Sequence, residues 1–114
     1  MPTAPVVLRA QLYAYNLRLS GGFLMGDMHS VDAWDALHPE IDAACGLLQA
    51  LGAQFLVLIE GIYTDLLTGK MIANAELTEQ EWMRIADVSN RIGAYVAERY
   101  GLCAACHPHA QTPI

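Results

Sequence analysis

Phe55-Leu56-Val57-Leu58-Ile59, closed abruptly by Glu60, decides the fold. An apolar run with no polar residue inside it cannot lie half in water, so it reads as a strand buried on both faces, the kind found in parallel sheets covered by helices. The sequence just before it agrees. An amphipathic stretch ends at Leu51-Gly52-Ala53, where glycine tolerates the left-handed conformation that stops a helix, and the apolar run comes almost at once. The same junction recurs at Tyr15-Asn16-Leu17 and at Tyr100-Gly101-Leu102, so a helix-then-strand unit occurs three times. Consecutive strands joined through helices are parallel neighbours reached by right-handed crossovers.

Working outward, residues 5–15 form a first helix with Leu8, Leu12 and Tyr15 on one face, and residues 17–20 a short first strand. Gly21-Gly22 and Gly26-Asp27 punctuate the next segment, which predicts a loop around Phe23, Leu24 and Met25. His38-Pro39-Glu40 suits the start of a second helix. Proline at the first helical position loses no hydrogen bond, and glutamate favours the positive end of the dipole. Ile41, Ala44, Cys45, Leu48 and Leu51 then supply its buried stripe. Beyond Glu60 comes a loop of about 17 residues, long enough to suggest a functional role. Thr78-Glu79-Gln80-Glu81 fits a capping box for a third helix running to Tyr100, with Trp82, Ile85, Val88 or Ser89, Ile92 and Val96 inward. Gly101 caps it, and residues 102–106 form the last strand. The class is α/β with the order αβαβαβ: either a small open sheet, or a slice of an eight-unit barrel that needs about 250 residues.

Composition favours the slice. At 114 residues the chain is at most one small domain, yet 54% of it is hydrophobic and only 16% charged, more apolar surface than so small a fold can cover by itself. The net charge of −6, with six scattered basic residues, argues against nucleic acid, whose binding rests on clustered Lys and Arg. No apolar run approaches the roughly 20 residues that span a bilayer. Met1-Pro2-Thr3-Ala4-Pro5 lacks the charged and apolar regions of a signal peptide. Three cysteines, an odd number, fit reduced thiols and a cytoplasmic location.

The polar residues that could carry chemistry fall just past strand C-termini, the end where parallel α/β folds place their sites. His107 and His109 lie two apart in an extended segment, so both imidazoles project to one side, where they could hold a divalent metal. Glu60 adjoins an apolar strand and must reach a polar site or solvent; a carboxylate there could move protons or bind metal. Asp27 and His29 occupy a glycine-containing loop, and Tyr63, Thr64 and Lys70 lie in the long loop, where they could touch a polyhydroxylated ligand. His38 is explained as a residue at the helix start. Cys103-Ala104-Ala105-Cys106-His107 matches the haem-attachment spacing C-x-x-C-H and, with His109, a four-ligand zinc set. Both readings need convergent thiols, whereas positions 103 and 106 of a strand face opposite ways. Buried apolar cysteines are the better account.

Leu19-Ser20-Gly21-Gly22-Phe23, the segment from Phe55 to Gly61, and His107-Pro108-His109-Ala110-Gln111-Thr112 carry a resemblance to a family. So do Leu77-Thr78 with Trp82 beyond them, and Ile92-Gly93. Together they resemble the sugar phosphate isomerase/epimerase superfamily of xylose isomerase-like TIM barrels, in its inosose dehydratase-like branch. The resemblance implies that residues 1–114 are a central piece of one barrel domain, strands three to five. The whole enzyme would use a divalent ion (Mn, Co, Zn or Mg) to polarise the oxygens of a sugar or cyclitol during isomerisation, epimerisation or dehydration. His107 would be a metal ligand, Glu60 and His109 catalytic, and Asp27, His29 and Tyr63 substrate contacts. Such a piece is expected to be inactive alone and prone to self-association through exposed edges and apolar faces. The alternative is a self-contained small α/β binding or interaction module without catalysis.

Overall fold

The computed structural model describes residues 4–114; the reading of Met1, Pro2 and Thr3 as free of a leader lies outside the described residues. Helices and strands alternate as α1 (Pro5–Ala14), β1 (Gly21–Gly26), α2 (Ala33–Ala50), β2 (Phe55–Glu60), α3 (Glu79–Tyr100) and β3 (Cys103–Cys106). The strands make one parallel sheet in the order β1-β2-β3, with Phe23 opposite Val57 and Val57 opposite Ala105. This is the αβαβαβ arrangement expected of the sequence.

β1 departs from expectation. It occupies the glycine-marked segment assigned to a loop, while residues 17–20 precede the strand. The glycines are there because α2 and β2 come close. A Cβ on Gly26 would sit 2.5 Å from Leu37 Cδ2 of α2, and one on Gly21 would sit 2.7 Å from the Phe55 carbonyl oxygen. Glycine inside a strand here marks close approach and not a break.

α2 also starts earlier than its proline suggested, with Asp32 as N-cap and Pro39 in the second turn. Pro39 has no N–H to offer the Asp35 carbonyl, a loss that ordinarily discourages a helix. Burial outweighs it: Ala33, Leu37, Ile41, Cys45 and Leu48 make one continuous buried stripe on both sides of the proline. α3 has the expected capping box, with Thr78 and Glu81 bonding each other's backbone amides, and ends at Gly101 in the left-handed conformation, φ 67°. Trp82, expected inward, is exposed, and Leu77 packs on the core instead. Tyr15 of the first stretch is likewise exposed.

The core lies on one side of the sheet. Leu24, Leu56 and Leu58 point at α2 and α3, where they meet Ile41, Cys45, Leu48, Ile85, Ile92 and Val96. The opposite face carries Phe23, 67% exposed, and Phe55, 44% exposed, and among the described residues no helix covers them. No helix among the described residues is long and apolar enough to cross a membrane.

A polar and aromatic seam fastens α2 to α3. The Tyr95 and Tyr100 hydroxyls both donate to Asp42 Oδ1, at 2.7 and 2.6 Å, and Trp34 stacks on His38 with the Arg91 guanidinium 3.9 Å from the Trp34 ring centroid. His38 therefore belongs to the second helical turn and this seam, and does not mark the helix start. The two hydroxyls, Tyr100 first, hold the Asp42 carboxyl below its ordinary range, and the same bond pushes the Tyr95 hydroxyl up to about 12. A depressed folded-state value stabilises above the unfolded value, near ~3.9, and the gain is lost as pH falls through the folded value. Asp42→Asn is therefore expected to flatten the acid limb of the stability curve in urea titrations between about pH 2 and pH 5. A variant curve parallel to the wild-type one throughout that window would refute the linkage.

Candidate functional site

Glu60 ends β2 opposite Gly26, the last residue of β1. Strand alternation puts it on the side of Leu56 and Leu58, so its carboxylate enters the helix-covered layer and is only 1% exposed. A carboxylate so placed must be met by donors. Oε2 accepts from the Met28 N–H at 3.1 Å, and Oε1 lies 2.7 Å from His29 Nδ1.

The loop between β1 and α2 delivers both partners. Ser30 N–H bonds the Asp27 carbonyl at 3.0 Å, closing a tight turn, and the buried Met28 side chain pins that turn to the core, where the Ser89 hydroxyl approaches its sulfur at 3.7 Å. From α3, Arg84 donates to the His29 carbonyl at 3.3 Å. Asp27 lies over Gly61: a Cβ on that glycine would collide with Asp27 Oδ1, so the carboxylate fills the space a side chain would need. Asp27, His29 and Glu60 thus present ligand atoms within 4.8 Å of one another.

The histidines of the chain's end lie elsewhere. The His107 N–H continues the β3 ladder to the Leu58 carbonyl at 2.9 Å, and its ring lines a cleft of about 530 Å³ with Phe23, Phe55, Val57 and Ala105. That is the uncovered face, opposite the layer holding the Glu60 carboxylate. The rings of His107 and His109 have centroids 6.0 Å apart, and His109 Nδ1 is 2.7 Å from the Ala110 carbonyl oxygen. The Tyr63 N–H bonds the Gln111 carbonyl at 2.9 Å, and its own carbonyl receives Ile72 and Ala73, which ties the long loop to the terminal segment.

Of the expected site residues, the structure joins Asp27, His29 and Glu60 into one group and keeps His107 and His109 as a second. Met28, Gly61 and Arg84, which hold the first group in place, were not expected from the sequence. A glycine immediately after a buried acid was the available signal for Gly61. Cys103 and Cys106 are exposed free thiols, contrary to the burial expected of them, because β3 is an edge strand with no further strand beside it among the described residues. Cys45 is the buried one, and burial, with the Asp42 charge second, pushes its thiol up to about 11.

No protein-family model matches the sequence, and no curated protein does. A solved structure does resemble the fold: the crystal structure of N-terminal His-tagged D-allulose 3-epimerase from Methylomonas sp. in complex with D-allulose. The match covers 90% of this chain and 35% of the epimerase, at a TM-score of 0.64 and 20% sequence identity. The chain therefore spans about a third of that enzyme's length. At that identity the likeness establishes architecture: three parallel strands alternating with helices, matching part of a TIM barrel.

Proposed function

We propose that this chain is part of a (β/α)8 enzyme that isomerises, epimerises or dehydrates a small sugar or cyclitol, with inosose dehydratase-like chemistry as one form of that activity. The observation that carries the reading is the gathering of Asp27, His29 and Glu60 at the C-terminal ends of two parallel strands, on a fold shared with a sugar epimerase. Parallel barrels place their chemistry at that end.

Moving a proton beside a carbonyl needs one group to take it and one to return it. In this proposal the buried Glu60 acts through the His29 ring it is hydrogen-bonded to, which is 27% exposed at the strand ends, and His109 at the end of β3 supplies the second group. Asp27 and Tyr63 contact hydroxyls. A divalent ion would polarise the carbonyl oxygen when bound. His107 and His109 by themselves do not fit a complete site for it, since no carboxylate among the described residues joins them. The uncovered face bearing Phe23 and Phe55 fits the inside of a barrel whose other strands are supplied from outside residues 1–114.

The test is deuterium incorporation from heavy water into a ketohexose or an inosose, with Mn2+ present, comparing the 114-residue chain with the protein isolated from its source. Incorporation by the isolated protein and none by the chain alone is expected. Incorporation by neither overturns the sugar reading. Incorporation by the chain alone overturns the claim that it works only within a barrel.

A further inference from the structure

We infer that Asp27, His29 and Glu60 form a binding site for a divalent transition-metal ion, carried entirely by this chain and separate from the terminal histidines. The inference rests on the geometry of these side chains and not on the sugar reading.

Ligand atoms at about 2.0–2.2 Å from a common ion lie ~3.0–3.5 Å from each other. His29 Nδ1 and Glu60 Oε1 are already 2.7 Å apart, and the whole group spans no more than 4.8 Å, so closing on an ion requires only a shift of about 1 Å. The residue that has to move is free to do so, since Asp27 is exposed and sits on a loop. Its place is nonetheless prepared, because Gly61 leaves open the volume its carboxylate occupies. Glu60 is fixed from behind by the Met28 amide, the kind of outer support that aims metal-bound carboxylates. The His29 ring is 27% exposed, which gives an ion a way in.

Charge points the same way. Two carboxylates face one imidazole, and among the described residues no Lys or Arg lies within ion-pair distance of Asp27 or Glu60. Glu81 adds a further negative charge near His29, and the nearest guanidinium, Arg84, is engaged with the His29 carbonyl. An ion would take the place of the hydrogen bond between His29 and Glu60 and supply the missing positive charge. One nitrogen and two carboxylate oxygens suit Mn2+, Fe2+, Co2+ or Zn2+ better than Ca2+ or Mg2+, and three protein ligands leave positions open for water or a substrate oxygen.

Mn2+ is the probe, because it favours oxygen-rich sites over a pair of exposed imidazoles. Chelator-treated 114-residue chain is titrated with Mn2+ and free ion is read by electron paramagnetic resonance. One ion per chain is expected, with affinity falling at least about tenfold in Asp27→Ala and in Gly61→Ala. The latter pushes the Asp27 carboxylate away without touching the core. The double variant His107→Ala with His109→Ala should bind as wild type does. Absence of binding at millimolar Mn2+, or binding that survives Asp27→Ala and disappears in the double histidine variant, overturns the assignment. Both Asp27 and Gly61 lie outside the core, and circular dichroism of the variants checks that they fold.

Discussion

Truncating Leu56 to alanine is expected to lower the unfolding free energy by about 2–5 kcal/mol, the range for large-to-small changes at sites that cannot collapse. Leu56 has no exposed surface, lies on the central strand, and belongs to the layer closed by α2 and α3. Against a total stability of order ~5–15 kcal/mol for a domain, the loss is a large share of the whole. The shift in urea midpoint at unchanged slope measures it, with protein concentration held fixed. Its neighbour provides the contrast. Phe55 points to the uncovered face, so Phe55→Ala should change stability by about 0.5 kcal/mol or less, as surface changes usually do. A Phe55 loss as large as that of Leu56 would mean that this face is covered in solution, by a second copy of the chain.

The second large effect is at Glu60. Glu60→Ala removes the acceptor of the Met28 amide and the partner of His29, and an orphaned buried donor costs about 1–3 kcal/mol. Glu60→Gln retains an acceptor oxygen of the same reach and should cost measurably less. Equal losses for the two variants in thermal and urea unfolding would show that the hydrogen bonds matter less than the side chain's bulk. The comparison also separates stability from chemistry, since either variant removes the charge that proton transfer or metal binding would need.

Much of the architecture was legible. The unbroken apolar run at β2, the capping box at Thr78 and the glycine stop at Gly101 each reflect a local rule that tertiary packing left intact. Elsewhere packing overrode local rules. Pro39 and the glycines of β1 are breakers by intrinsic preference, yet one is carried through a helix by the burial on either side of it, and the others permit an approach that larger residues would block. The edge position of β3, and with it the exposure of Cys103 and Cys106, cannot be read from a short apolar segment. It depends on which strands are present beside it.

The candidate site was open to the sequence as single residues but not as a grouping. Strand-end positions identified Asp27, His29, Glu60, His107 and His109 individually. Their division between the two faces of the sheet results from alternation within β2, where Glu60 shares the parity of Leu56 and Leu58, and from the register that sets Ala105 beside Val57. A shift of one residue in either strand would have exchanged the faces. Asp42 went unremarked because its partners, Tyr95 and Tyr100, come from another helix some fifty residues away.

The one-sided core bears on how the chain acquires its shape. α2 lies between β1 and β2 in sequence, and α3 between β2 and β3, so each packing step joins elements that are made one after another. Such near-neighbour contacts form quickly, and they can form in order as the polypeptide leaves the ribosome. Only the face bearing Phe23 and Phe55 stays open among the described residues. The helix-covered layer can therefore be complete as soon as its last strand is made, without waiting on anything that packs against the open face.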